Sequence, residues 1–160
     1  MTIIPLDFPG FGFADTTPAV PVGGNPGTTL GEQRLIALRR AAEIWGTQLD
    51  SSIEIRVQAS FGTLSCDATS SVLATAGPVQ SLQDFAGAEH PGTWYAAALA
   101  NKRARTDLLP RADDIRANFN VNLGTPNCFA GAGWYYGLDN AHGDGVDFIS
   151  VALHELGHGF

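Results

Sequence analysis

Residues 53–61 read IEIRVQASF, and residues 115–123 read IRANFNVNL. In both stretches apolar side chains alternate with polar ones, which is the pattern of a strand with one buried face and one solvated face. We expect the two strands to belong to one sheet, with their apolar side chains packed against helices. Because helical patterns occur before, between and after them, the sequence predicts an α/β fold.

The first helix is predicted to begin after Thr29. Thr29 and Glu32 have the spacing of a capping box, in which each side chain accepts a hydrogen bond from the other residue's amide. Apolar residues then recur at helical spacing and predict one buried stripe. The stripe consists of Leu35, Leu38, Ala42, Trp45 and Leu49. The charged residues Arg34, Arg39, Arg40 and Glu43 are expected to lie largely away from it.

Two more helices are predicted. An alanine-rich helix over residues 93–105 is expected to turn Trp94 and Leu99 inward. The last helix, capped by Asp144 or Asp147, is expected to run to the end of the sequence. Short strands are expected near Ile3, Val72 and Val79 and through residues 134–136.

Composition limits the class of protein. The chain has 160 residues, of which 44% are hydrophobic and 16% charged, so it has room for one globular domain with a core. No apolar run approaches the roughly 20 residues of a membrane span. The net charge is −7 and the one basic cluster is Lys102, Arg103 and Arg105, which argues against a nucleic-acid partner. The oligomeric state is left open.

The two cysteines, Cys66 and Cys128, show no zinc-binding spacing. They are either free thiols or, in an exported protein, a disulfide. We predict the disulfide, with the two Cα atoms within about 7 Å of each other. The first residues lack the basic and long apolar regions of a signal peptide, so either a signal is expected to have been removed or the sequence begins inside a longer reading frame.

Residues 154–158 read HELGH. On a helix His154 and His158 lie one turn apart on one face, so both imidazoles can reach one zinc ion at about 2.0–2.1 Å. Glu155 lies about 100° further round the helix, where it can take a proton from a water that attacks a carbonyl. The pattern predicts His154 and His158 as metal ligands and Glu155 as the general base.

The opposite side of this helix is predicted to be apolar and to pack on the core. It consists of Ile149, Ala152, Leu153, Leu156 and Phe160. Asp147, Ser150 and Val151 fall on the side of the two histidines. The helix therefore has an apolar back and a more polar front, as expected for one wall of a cleft.

The stretch from His154 to Phe160 resembles the opening of the metzincin motif HExxHxxGxxH, and the order of helices and strands before it is similar to that of zincin metallopeptidases. More narrowly, Cys128 to Asp139 together with the HELGH helix resembles secreted bacterial peptidases that carry a protease-associated domain. The resemblance implies a zincin-like N-terminal subdomain, with a twisted mixed sheet packed on helices and the HExxH helix last. It also implies a secreted zinc metalloendopeptidase that hydrolyses polypeptides.

The metzincin motif continues beyond Phe160 with a further glycine and a third histidine ligand, and the family's methionine turn has no counterpart in a sequence whose one methionine is Met1. We therefore expect residues 1–160 to be the catalytic N-terminal subdomain, with residues 1–28 as a Gly- and Pro-rich lead-in and the C-terminal subdomain missing. Such a fragment is expected to bind zinc weakly and to hydrolyse little.

Two other functions remain open at this point. A gluzincin-type peptidase would use a glutamate from a later helix as its third zinc ligand. A non-catalytic extracellular binding module on a zincin scaffold would need no general base, and the presence of Glu155 argues against it.

The loop before the last helix contains Asn140, His142, Asp144 and Asp147, and three interpretations of it remain open. Its oxygen atoms could bind Ca²⁺, although the spacing is not that of an EF-hand. His142 could be a further zinc ligand, or the loop could simply cap the helix. Tyr135 and Tyr136 could help to stabilise an oxyanion, but hydrophobic packing is the favoured interpretation.

Overall fold

The computed structural model describes residues 1–160 and has a mixed four-stranded sheet at its centre. Strands β1 (Thr2–Pro5), β2 (Arg56–Gly62) and β6 (Ile115–Asn120) are parallel neighbours in that order. Strand β3 (Ala74–Pro78) pairs antiparallel with β6 and forms the other edge of the sheet. The predicted α/β class is confirmed as a mixed sheet with three α-helices.

The helices are α1 (Leu30–Gln48), α2 (Ala97–Ala104) and α3 (Phe148–Gly157). One face of the sheet is buried against residues of these helices, and a cluster of aromatic rings fills the centre of this core. The fully buried large side chains include Leu38, Val57, Ile115, Phe119, Phe148 and Leu156. The opposite face carries polar side chains of β2 and β6.

Two small two-stranded sheets complete the fold. Strand β4 (Ser81–Leu82) pairs with β5 (Tyr95–Ala96), immediately before α2. Strand β7 (Trp134–Tyr135) pairs with β8 (Val146–Asp147), immediately before α3. No helix of the chain combines the length and the apolar character that crossing a bilayer requires.

The two alternating stretches are strands of one sheet, as predicted, but both are shorter than the patterns. The first begins at Arg56 instead of Ile53, and the second ends at Asn120 because the chain turns over residues 121–124. One strand, β3, lies between the two predicted near Val72 and Val79. The strand predicted over residues 134–136 stops at Tyr135.

The first helix has the predicted capping box between Thr29 and Glu32. The prediction that Arg34 lies away from the buried side is wrong, since its side chain is 8% exposed. Its guanidinium bonds to Gly12, Asp15 and Tyr136, which offset the cost of burying its charge.

The second helix is shorter than the predicted range of 93–105, and the orientation predicted for it is wrong. It begins at Ala97 because the residues just before it are paired with β4 as a strand. Trp94 therefore lies outside the helix and is 65% exposed, and Leu99 is 37% exposed. The buried residues of the helix are instead Ala97, Ala98, Ala100 and Asn101.

Cys66 and Cys128 form a disulfide with their Cα atoms 5.1 Å apart, so the predicted pairing is confirmed. It joins the segment between β2 and β3 to the loop that follows β6. The backbone reinforces this link, because the Phe129 amide donates to the Asp67 carbonyl at 2.8 Å.

Candidate metal centre and cleft

The HELGH segment lies on α3, and the packing of this helix determines where its side chains point. Asp147 caps its start by accepting a hydrogen bond from the Ser150 amide at 2.7 Å, so Asp147 and not Asp144 is the cap. Phe148, Ala152 and Leu156 are fully buried, whereas the predicted back residues Ile149, Leu153 and Phe160 are half-buried. The helix ends at Gly157 rather than continuing to Phe160.

Burial of that stripe turns His154 and His158 outward together. Both side chains are exposed, and their Nε2 atoms lie 3.1 Å apart. Two ligands of a tetrahedral zinc ion, each at about 2.05 Å, are separated by about 3.3 Å. The two imidazoles therefore have a spacing that fits two of the four positions around one zinc ion.

Glu155 lies on the flank of α3 that faces β3 and is 9% exposed. Together with His154 it lines an open cleft of about 370 Å³. The remaining lining residues are Leu73, Ala74, Ser150 and Val151. The cleft thus has a histidine and a carboxylate on its helical wall and the start of an edge strand on the other.

The β3 wall of the cleft presents unpaired backbone groups. The Asn120 amide donates to the Leu73 carbonyl and the Val79 amide donates to the Asp114 carbonyl, so alternate residues starting at Leu73 face β6. The residues between them, Ala74 in the cleft and Ala76 further along the same edge, consequently direct their N–H and C=O groups away from the sheet. An extended polypeptide placed in the cleft could pair with them.

The chain matches no family model, no curated protein and no solved structure. The likeness of residues 154–160 to the metzincin motif therefore rests on the residues themselves, and the assignments of His154, Glu155 and His158 stay predictions.

A third protein ligand is not brought to the two histidines. Nowhere in residues 1–160 do three or more His, Cys, Asp or Glu side chains come together in a way that could hold a metal ion. His142 is exposed, and its Nδ1 bonds to the Gly145 carbonyl oxygen at 2.8 Å. The interpretation of the 140–147 loop as a helix cap is confirmed for Asp147, and the calcium interpretation stays a prediction.

The hydroxyl groups of the two tyrosines before this loop form hydrogen bonds with other side chains, Tyr135 with Asp139 and Tyr136 with Arg34. The Tyr135 hydroxyl donates to Asp139 at 2.7 Å, a bond that raises the pKa of Tyr135. Tyr136 is buried, and burial raises its pKa to about 12 even though Arg34 opposes this shift. Packing of Tyr136 in the core, as expected from the sequence, is confirmed, whereas Tyr135 is half-buried and is not part of the core cluster.

The sequence pattern gave no indication of two contributors to the site. Leu73 and Ala74 line the cleft, but the segment LATAGP has no large alternating side chains that would mark an edge strand. Trp45 was expected only to be buried. Its indole also donates a hydrogen bond to the Leu153 carbonyl at 2.9 Å, one residue before His154.

Proposed function

We propose that this chain carries the zinc-binding and general-base residues of a zinc-dependent metalloendopeptidase with a zincin-like subdomain. The observation that carries the proposal is the convergence of the His154 and His158 Nε2 atoms to 3.1 Å beside a cleft that Glu155 lines. Two imidazoles and a neighbouring carboxylate are the residue types that this chemistry requires.

Each residue has a distinct role in the proposed reaction. His154 and His158 would hold the metal as neutral imidazoles. Zinc, when bound there, would polarise the scissile carbonyl and lower the pKa of a water molecule. Glu155 would accept the proton of the attacking water on its carboxylate and later transfer it to the leaving amine.

The edge of β3 supports a polypeptide as the substrate. An extended chain that pairs with Ala74 and Ala76 would lie between β3 and α3, alongside Glu155. Backbone hydrogen bonds of this kind bind a peptide in a fixed direction without requiring a particular sequence. The apolar lining residues Leu73, Ala74 and Val151 would contact the side chains of that peptide.

The proposal includes a third zinc ligand supplied by polypeptide outside residues 1–160, because catalytic zinc sites generally have three protein ligands and these residues bring two together. We also propose that the protein is secreted. The Cys66–Cys128 disulfide supports this, since such bonds persist mainly in oxidising compartments.

Calorimetric titration with Zn²⁺ tests the metal centre. Binding should be lost in His154→Ala and in His158→Ala and should be retained in His142→Ala, whose ring lies in the preceding loop. Zinc binding that is indifferent to His154 and His158 would contradict the proposed centre.

Peptide cleavage by the zinc-loaded protein that includes the polypeptide supplying the third ligand tests the reaction. Glu155→Gln removes the base but keeps the size of the side chain, so the rate should fall by about 10²- to 10⁴-fold. Glu43→Gln, on the exposed side of α1, is the matched control and should cleave like the wild type. Equal cleavage by the Glu155→Gln variant and the wild type would rule out the proposed mechanism.

A further inference from the structure

Trp45, near the end of α1, contacts the segment of α3 that carries the HELGH residues. Its indole Nε1–H donates to the Leu153 carbonyl oxygen at 2.9 Å. We infer that Trp45 is a positioning residue, which sets the rotation of α3 about its axis and thereby the directions of His154, His158 and Glu155. This inference rests on the proposed zinc site.

Trp45 contacts three positions that lie before, between and after the two histidines in the chain. The first is the hydrogen bond to Leu153, just before His154. The second is at Gly157, where a Cβ atom would lie 3.4 Å from Cζ2 of the indole, so the ring lies close to the helix backbone. The third is an edge-to-face contact with Phe160, with ring centroids 4.9 Å apart. Together they hold the helix on both sides of the two histidines.

The geometry of the helix explains why this contact controls orientation. At about 100° per residue, Leu153 and Gly157 lie on one flank of the His154–His158 pair, and Glu155 lies on the other. Apolar packing of Phe148, Ala152 and Leu156 is not directional, so it tolerates a small rotation of the helix. A hydrogen bond requires alignment of donor and acceptor and therefore resists that rotation.

The chain contains a matched control in Trp134. It is also half-buried, and its Nε1–H donates to the Asn120 carbonyl at 2.7 Å. Its ring packs on Phe148 at the start of α3, with centroids 5.3 Å apart. Trp134→Phe therefore removes an equivalent hydrogen bond from a ring that packs on the same helix, six residues before His154.

The test compares Trp45→Phe with Trp134→Phe in the full chain. Zinc affinity is measured by calorimetry, and the visible absorption spectrum of bound Co²⁺ reports the arrangement of the ligands. We expect Trp45→Phe to weaken zinc binding by about tenfold, the low end of the effect of residues that orient metal ligands, and to shift the Co²⁺ bands. Trp134→Phe should change zinc affinity by less than about twofold and leave the bands in place, even where both variants lose similar stability.

A second variant separates the hydrogen bond from the shape of the ring. Replacing Trp45 with 3-benzothienylalanine keeps the bicyclic ring and substitutes sulfur for the N–H group, and it should shift the Co²⁺ bands as Trp45→Phe does. Unchanged bands in both Trp45 variants, or the same shift in Trp134→Phe, would overturn the positioning role. If the wild type shows no metal binding that His154→Ala abolishes, the proposed zinc site itself is wrong and this inference falls with it.

Discussion

The buried side chain of Arg34 shows how hydrogen bonds and a charged partner offset the cost of burying a charge. Its Nη1 donates to the Gly12 carbonyl at 2.7 Å and lies 3.0 Å from Asp15, while its Nε donates to the Tyr136 hydroxyl at 3.1 Å. The guanidinium also lies over the Phe61 ring, 4.6 Å from its centroid. Burial opposes ionisation of Asp15, but hydrogen bonds from Thr17 and the charge of Arg34 lower its pKa overall. Asp15 is therefore ionised at neutral pH.

Replacing this arginine should be costly. Arg34→Met keeps much of the side-chain volume but leaves Asp15, the Gly12 carbonyl and Tyr136 without their partner. We expect the free energy of unfolding to fall by about 3 kcal/mol, as for other broken buried pairs. Urea unfolding measures this change. The control is Arg40→Met, whose side chain is 52% exposed and pairs with Glu43, and it should cost about 0.5 kcal/mol or less. Similar losses in the two variants would contradict this account of Arg34.

Gly159 is the second residue whose role depends on tertiary packing. A Cβ atom at this position would lie 2.6 Å from Cδ1 of Ile115, so the backbone after α3 lies directly against the sheet. Gly159→Ala should therefore lower the free energy of unfolding by about 1–3 kcal/mol through overpacking.

Gly46 in α1 is the matched control for that substitution, because a Cβ atom there meets nothing within 4 Å. Gly46→Ala should increase the free energy of unfolding by up to about 1 kcal/mol through helix propensity. Thermal unfolding of both variants checks that the free energy of unfolding changes in opposite directions. A stabilising effect of Gly159→Ala would show that the chain can move away from Ile115 at little cost.

At the scale of the elements, β2 and β6 were predictable because their alternation reflects a single buried face. Val57, Ala59 and Phe61 point into the core along with Ile115 and its alternate residues. Strand β3 was not predictable in this way, because it consists of small residues and is held by backbone pairing with β6 rather than by large side chains. For α2 the abundance of alanine indicated a helix, but alanine carries too little apolar contrast to show which side faces inward.

The free edge of β3 leads to a prediction about substrate binding. The Ala76 N–H lies on the free edge of β3, two residues beyond the cleft-lining Ala74, so Ala76→Pro removes a donor that the proposed bound peptide would use without breaking the sheet. We expect the Michaelis constant for peptides to rise by up to about tenfold, the equivalent of one hydrogen bond, with zinc affinity unchanged. Thr75→Pro, which deletes a bond to β6, should instead lower stability. An unchanged Michaelis constant in Ala76→Pro would show that peptides do not pair with β3.

At the scale of the whole molecule, the predictable part of the site is the part that is local in sequence. His154 and His158 converge because they are one helical turn apart, a spacing that the sequence shows directly. The cleft depends on contact between α3 and β3, whose residues are about 75 positions apart in the chain. No local pattern specifies that contact, and the same holds for the hydrogen bond between Trp45 and Leu153.

The 1–28 lead-in also contributes contacts to the core of the molecule, which its Gly- and Pro-rich composition does not predict. Asp7 accepts hydrogen bonds from the amides of Phe13 and Phe61, and the Phe13 ring lies in the core. Asn25 is fully buried and donates to the carbonyls of Gln33 and Tyr136. The lead-in thereby connects the sheet, α1 and the segment before α3.

Two truncations test whether this segment belongs to the cooperative unit. Deleting residues 1–5 removes β1 from the edge of the sheet but leaves Asp7, Phe13 and Asn25 in place, so unfolding should remain cooperative with a lower midpoint. Deleting residues 1–28 exposes the Phe61 side of the core and leaves Arg34 without Gly12 and Asp15. Because buried polar groups then lose their partners, we expect the cooperative urea transition to disappear and zinc binding to be lost with it. The disulfide joins Cys66 to Cys128 and cannot replace these contacts, since neither cysteine lies in the deleted part of the chain. A cooperative transition near the wild-type midpoint after removal of residues 1–28 would mean that the sheet and the three helices fold without them.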